Sequence, residues 1–268
     1  MLSYVDVATP QLRSQDADTR VYEGTLDESW FQGRGSFGGL LTAFALNAFV
    51  DHVGDARRRP RTLHAHFCAP VAAATYTLTT TNAREGSRVT HLHAELRQDG
   101  KCMALFTATF AAARDDELRV SQQPAPQVLP VDDAIAVSHE MPGVPVFIQH
   151  YDMRVGLGQP PYTGAAQARL GGHIRLRNSV PVNEALLSTY VDAWPPAAFA
   201  CATSPRGGAS VDLTLTFLEP PTGYAPGAFF VADVHSTFVD DGYSQETTWL
   251  HGPDGKPLVH CRQLVALL

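Results

Sequence analysis

The chain has 268 residues, 44% of them hydrophobic, which is enough apolar surface for one large core or two smaller ones and argues against a disordered polymer. Charged residues make up 18% and the formal net charge is −7, so no broad positive field exists to attract nucleic acid. The four cysteines, Cys68, Cys102, Cys201 and Cys261, form no C-x-x-C pair; this excludes a zinc ribbon and reads as reduced, packed thiols.

The opening stretch MLSYVDVATPQLRSQDADTR lacks a basic segment followed by an apolar one, so no secretory leader is expected and the cytoplasm is the default location. No membrane association is expected either, because the longest apolar stretch, Phe37 to Val50, is only about 14 residues. Within WFQGRGSFGGLLTAFALNAF, residues 30–49, Gly33, Gly35 and Gly38 spell G-x-G-x-x-G ahead of a helix-prone run. The run GLLTAFALNAFVDHV is apolar around most of its circumference, which predicts an enclosed helix. The basic cluster ARRRPR, with Arg57 to Arg61, is expected to be a solvated loop.

From Arg61 the pattern changes to alternation. LHAHFCAP, TYTLTTTNA, RVTHLHAELRQ and KCMALFTATFAAA predict four consecutive strands, and the turn signals NAREGS and QDGK make them antiparallel hairpins. A dinucleotide site needs strand, helix and parallel strand in alternation, so the glycine pattern is read as a coincidence of spacing.

The second half repeats this plan. LHAHFCAPV is echoed by LTLTFLEPP, which places Phe67 and Phe217, then Pro70 and Pro220, 150 residues apart. An Asp-Gly-Lys turn before a closing strand recurs in QDGK and PDGK. VPVNEALLSTYVDAWPP supplies the second helix, with Asn183 as N-cap and Pro195 and Pro196 closing it. Residues 114–145, rich in Pro and charge, read as a linker. The fold class expected is α+β: two units side by side as a pseudo-dimer, over 1–113 and 146–268, each a long helix against antiparallel strands. Exposed sheet edges leave room for homo-oligomers.

The segments SFGGLLTAFAL, HAHFCAPV, REGSRVTHLHAELRQDGK, GASVDLTLTF and PDGKPLVHCRQ, in this order, resemble the acyl-CoA thioesterase II (TesB-like) double-hotdog family over nearly the whole chain from Thr19. The resemblance implies two tandem hotdog repeats, each a long helix wrapped by a curved sheet. It also implies an acyl-CoA substrate, hydrolysed by water without a metal, a cofactor or a covalent acyl-enzyme. In that family an Asp on the second helix, a Thr on the next strand and a Gln on the last strand hold the attacking water. These positions fall on Asp192, Ser210 and Gln263. Serine in place of threonine keeps the hydroxyl and loses a methyl group.

The residues themselves fit these roles. Asp192 sits in the last turn of its helix, at the negative end of the dipole, where desolvation would raise its pKa toward that of a general base; the plain alternative is an exposed helix-end carboxylate. Alternation puts Val259, Cys261, Gln263 and Val265 on one face, so Gln263 is an amide in an apolar row, held either by the site or as a structural bridge. The first half carries Ala108 at the matching place. On the preceding strand Ser210 and Asp212 are expected on one face, with Val211, Leu213, Leu215 and Phe217 on the other, and Asp212 is a fallback carboxylate.

GGASVD lacks the nucleophile elbow of a serine hydrolase. Gly38 and Gly39 serve either as an oxyanion-binding helix start or as a point of close packing. His64 with His66, and His91 with His93, point the same way in pairs, but no acidic partner lies at ligand spacing, so no metal site is expected. Two alternatives share the ligand. An enoyl-CoA hydratase would need an Asp and a His together, with Asp51-His52 the only neighbours on a helix, and a non-catalytic acyl-CoA-binding protein would keep only the groove.

Overall fold

A computed structural model describes residues 1–268. In chain order the first half contains α1 (Tyr4–Ala8), β1 (Gln11–Gln15), β2 (Thr19–Thr25), β3 (Phe31–Gln32), β4 (Gly35–Ser36), α2 (Gly38–Val53), β5 (Arg58–Phe67), β6 (Thr75–Glu85), β7 (Val89–Gln98) and β8 (Lys101–Ala112). There follow β9 (Ile135–Val137), β10 (Tyr151–Gly158), β11 (Arg169–Leu176), α3 (Glu184–Asp192), β12 (Gly208–Phe217), β13 (Phe230–Asp240), β14 (Tyr243–His251) and β15 (Pro257–Leu267). Apart from the β3–β4 hairpin, all strands join one 13-stranded sheet, in the order β1-β2-β6-β7-β8-β5-β12-β15-β14-β13-β11-β10-β9. Every ladder is antiparallel. This is the α+β double hotdog that the resemblance implies, and it leaves no strand-helix-parallel strand unit for a dinucleotide.

α2 is enclosed because its apolar residues leave no polar stripe: everything from Gly39 to Leu46, with Ala48 and Phe49, is buried. Its partners are β2, β5, β6, β7 and β8, whereas α3 packs on β13, β14 and β15 and also against α2. Phe44, Leu46 and Phe49 are fully enclosed, and each such side chain contributes about 1.5–3 kcal/mol by leaving water. Gly54 ends α2 in the left-handed conformation, the usual glycine helix stop. Asp99 and Gly100 both have positive φ, the two-residue turn that sets the β7–β8 register. No helix is long and apolar enough to cross a membrane.

The two halves meet where β5 pairs with β12. These ten-residue strands, 58–67 and 208–217, are themselves related by the 150-residue repeat. His64 lies opposite Thr214, its own repeat mate, so the local twofold axis runs between these two residues. The repeat extends to an irregularity: the β5–β8 register shifts between Pro60 and Thr62, and the β12–β15 register shifts between Ser210 and Asp212. A bulge residue, Arg61 or Val211, therefore interrupts each strand at the same place.

Three expectations change. The arginine cluster is not a solvated loop, since Arg58 to Arg61 begin β5. The Arg58 side chain is only 9% exposed, ion-paired to Asp55 and donating to the Gly86 carbonyl, while Arg59 donates to the Leu218 carbonyl of the other half. Residues 114–145 contain β9, which pairs with β10. The strands β1, β2, β10 and β11 lie outside the segments read as strands; β1 is exposed along its whole length and so shows no apolar alternation.

Candidate active site

Asn183 starts α3 by accepting a hydrogen bond from the Leu186 amide at 2.8 Å. Every residue from Ala185 to Asp192 is buried. The buried hydroxyls of Ser188 and Thr189 donate to carbonyls three residues back, and the Tyr190 hydroxyl accepts from the Leu176 amide, so these polar groups need no solvent. Pro195 and Pro196 prevent the helix from continuing, which leaves Asp192 as its last residue. The chain beyond is tied down by Glu246, whose Oε2 accepts from the Ala197 amide at 2.9 Å.

The end of α3 meets the start of α2. A Cβ at Gly38 would sit 3.0 Å from Asp192 Oδ2 and 2.7 Å from Phe67 Cζ, and one at Gly39 would sit 3.1 Å from Asp192 Cβ. The glycine pair therefore serves close packing. It also sets the Asp192 carboxylate beside the positive end of α2.

The last strand brings in the amide. Gln263 Nε2 donates to Asp192 Oδ1 at 2.9 Å and also to Ser210 Oγ, so three residues separated by up to 71 positions meet. How Ser210 arrives there corrects the simple alternation. With Val211 as the bulge, Ser210 lies on the helix side together with Leu213, the ladder partner of Gln263. Val211 is exposed rather than sharing a face with Leu213, and Asp212 turns to the opposite side of the sheet, next to His64 and His66. Asp212 is thus removed from any role beside Ser210.

Burial pushes the Asp192 carboxyl up to about 7, although the Gln263 amide and the Gly39 backbone amide both favour its ionised form. The residue is 7% exposed, and its Oδ2 has no hydrogen-bond partner in the protein. Glu246 lies beside Gln263 in the β14–β15 ladder and is also raised by burial, against the Ala197 amide, the Ser244 hydroxyl and the Ala198 amide.

Asp192, Ser210 and Gln263 line one cleft with Gln32, Trp194 and Glu246. The last three were missed. Ser244, Glu246 and Thr248 occupy the buried positions of β14, so hydropathy alone assigns that polar face outward. Gln32 had one available signal, its place beside the glycine-rich turn. No histidine lines the cleft, which leaves the hydratase alternative without its second group. Asp51 and His52 lie at the far end of α2, where Asp51 accepts from Arg20 and Tyr22 and His52 bonds Thr80. On the other half Ala108 stands opposite Leu63 as Gln263 stands opposite Leu213, so the polar set is not duplicated.

A family model described as the acyl-CoA thioesterase N-terminal domain matches residues 26–111, and one described as the acyl-CoA thioesterase C-terminal domain matches residues 121–267. No match was found among curated proteins. Among solved structures, a conserved protein of unknown function with a hot dog fold from Alicyclobacillus acidocaldarius superposes with a TM-score of 0.87 at 22% identity, over 99% of this chain and 97% of the other. Acyl-CoA thioesterase II TesB2 from Mycobacterium marinum gives 0.74 at 18% identity, over 99% and 98%. The tesB protein of Mycobacterium avium subs paratuberculosis gives 0.74 at 15%, over 96% of each chain. At these identities the structural likeness speaks for the fold.

Proposed function

Because the chain belongs to the acyl-CoA thioesterase family and is a thioester hydrolase, we propose that it cleaves acyl-CoA with a water molecule held by Asp192, Ser210 and Gln263. The observation that carries this reading is the double hydrogen bond of Gln263 Nε2 to Asp192 and Ser210.

Both Nε2 hydrogens of Gln263 are then in use, which leaves its Oε1 as an acceptor and the Ser210 hydroxyl as a donor. A water beside them can accept from Ser210 and donate to Gln263 Oε1 and to Asp192 Oδ2, the carboxylate oxygen with no protein partner. Its remaining lone pair attacks the thioester carbonyl carbon as Asp192 takes the proton. The oxyanion formed is held by the first-turn amide of α2 at Gly38, which has no acceptor within the helix, while the Gly39 amide stays on the Asp192 carboxylate. Collapse of the tetrahedral intermediate breaks the C–S bond, and the leaving thiolate recovers the proton from Asp192. A carboxyl poised near 7 suits both transfers.

Thiol release from a panel of acyl-CoA thioesters tests the proposal. Wild type should turn over at least one chain length, and Asp192→Asn should be at least about a hundredfold slower. Equal release by the two proteins refutes the assignment of the base, whereas release from no thioester refutes the substrate class.

A further inference from the structure

The bulge that turns Ser210 toward the cleft sends Asp212 to the opposite face of the sheet, where it completes a second group of convergent side chains. His64 and His66, two apart on β5, point to the same side, and Asp212 on β12 is the direct ladder partner of His66. The ligating atoms of all three lie within 4.8 Å of one another. Sequence spacing hides this, because the carboxylate comes from the other half of the chain.

The geometry of the two imidazoles is specific. His64 Nε2 and His66 Nε2 approach to 3.0 Å, with ring planes inclined by 70°. The other nitrogen of His64, Nδ1, is bonded to Thr214 Oγ1 at 2.5 Å. When Nδ1–H donates to that hydroxyl, Nε2 is left unprotonated and its lone pair faces His66, the arrangement in which an outer hydrogen bond fixes the tautomer of a metal-binding histidine. Donors around a tetrahedral ion at about 2.0–2.1 Å stand about 3.3 Å apart, close to the separation of the two nitrogens. The half-buried Asp212 side chain supplies the third donor, with its carboxylate oxygen within 4.8 Å of both imidazole nitrogens.

We propose that His64, His66 and Asp212 bind one divalent transition-metal ion of the zinc type, with water in the fourth position, stapling β5 of the first half to β12 of the second. Two imidazoles and a carboxylate suit zinc, cobalt or nickel better than calcium or magnesium, which prefer all-oxygen shells. The site lies across the sheet from Asp192 and Gln263, so its role is to brace the junction and not to take part in hydrolysis. It is also single: the repeat mates of His64, His66 and Asp212 are Thr214, Thr216 and Thr62, none of them a comparable ligand.

The test uses the full chain, stripped with a chelator and titrated with zinc chloride alone in a non-coordinating buffer. Calorimetry should show one ion per chain at micromolar affinity or tighter, and saturating zinc should raise Tm by roughly 5 °C. His64→Ala and Asp212→Asn should each weaken binding at least tenfold and abolish the Tm rise. Their thioester hydrolysis should match that of stripped wild type, which shows that both variants fold. A Cys68→Ser/Cys102→Ser double variant should bind as wild type does, and the cobalt complex should show tetrahedral d–d bands without thiolate charge transfer. Absence of stoichiometric binding, binding that survives both ligand substitutions, or binding lost with the two cysteines overturns the proposal.

Discussion

Gln263 on the last strand, β15, donates from Nε2 to Asp192 Oδ1 on the last residue of α3 at 2.9 Å, joining that strand to the end of the helix. This contact favours the ionised carboxylate against the burial that raises it, and fixes the position of the amide; the first expectation concerns that charge.

Asp192 is raised to about 7 by burial, so its active, ionised form grows in through that pH. The profile of kcat/KM should rise from pH 5 to 8 with an apparent pKa near 7 and then level off. Asp192→Asn should remove this limb and lower kcat about 10²–10⁴-fold. Stability runs the other way. A carboxyl raised above its unfolded value binds its proton more tightly when folded, so this contribution is full below about pH 4 and is lost as pH rises through about 7. Thermal melts of wild type against Asp192→Asn should therefore diverge between about pH 4 and 7, with wild type losing more, and run parallel above that.

Ser210→Ala removes the proposed donor to water without opening a large space. The expected outcome is a fall in kcat of about 10–100-fold with KM nearly unchanged, since one hydrogen bond to the reacting water contributes on the order of 1.5–3 kcal/mol. Ser210→Thr keeps the hydroxyl, and steady-state kinetics should show most of the activity retained.

Gly38→Ala places a methyl group 2.7 Å from Phe67 Cζ and 3.0 Å from Asp192 Oδ2. One of the two must give way. Overpacking of this kind costs about 1–3 kcal/mol, and displacing the carboxylate should lower kcat as well. Urea unfolding together with kcat measures both effects. A variant as stable and as active as wild type would show that the close approach at this point has no importance.

Glu246 accepts from the Ala197 amide at 2.9 Å and from the Ser244 hydroxyl at 2.7 Å, both in buried surroundings. Glu246→Ala strands those donors and should destabilise the protein by about 1–3 kcal/mol in urea titration. Because Ala197 lies five residues after Asp192, kcat should fall too, and Glu246→Gln, which retains an acceptor, should recover part of both losses.

The local features of the chain were legible in its sequence. The period of GLLTAFALNAFVDHV, the alternation of the four strands from Leu63 to Ala113, the N-cap at Asn183 and the Asp99-Gly100 turn each depend on residues within a few positions of one another. The 150-residue repeat and the family resemblance extended this to the architecture and to Asp192, Ser210 and Gln263 as candidates. Arrangement across the sheet was beyond that reach. A bulge is a property of two paired strands, so the turn of Val211 outward, which separates Ser210 from Asp212, appears only when β12 lies against β15. The polar inner face of β14 inverts the hydropathy rule because its carboxylate finds buried donors that are 49 positions away. Composition, local period and the repeat determined that this chain builds two long helices, each against a run of antiparallel strands; that the strands join in one sheet through β5 and β12 came from the fold. Only tertiary contact decided that Gly38 touches Asp192 and that Asp212 faces His66, because burial and proximity arise from segments that no local spacing connects.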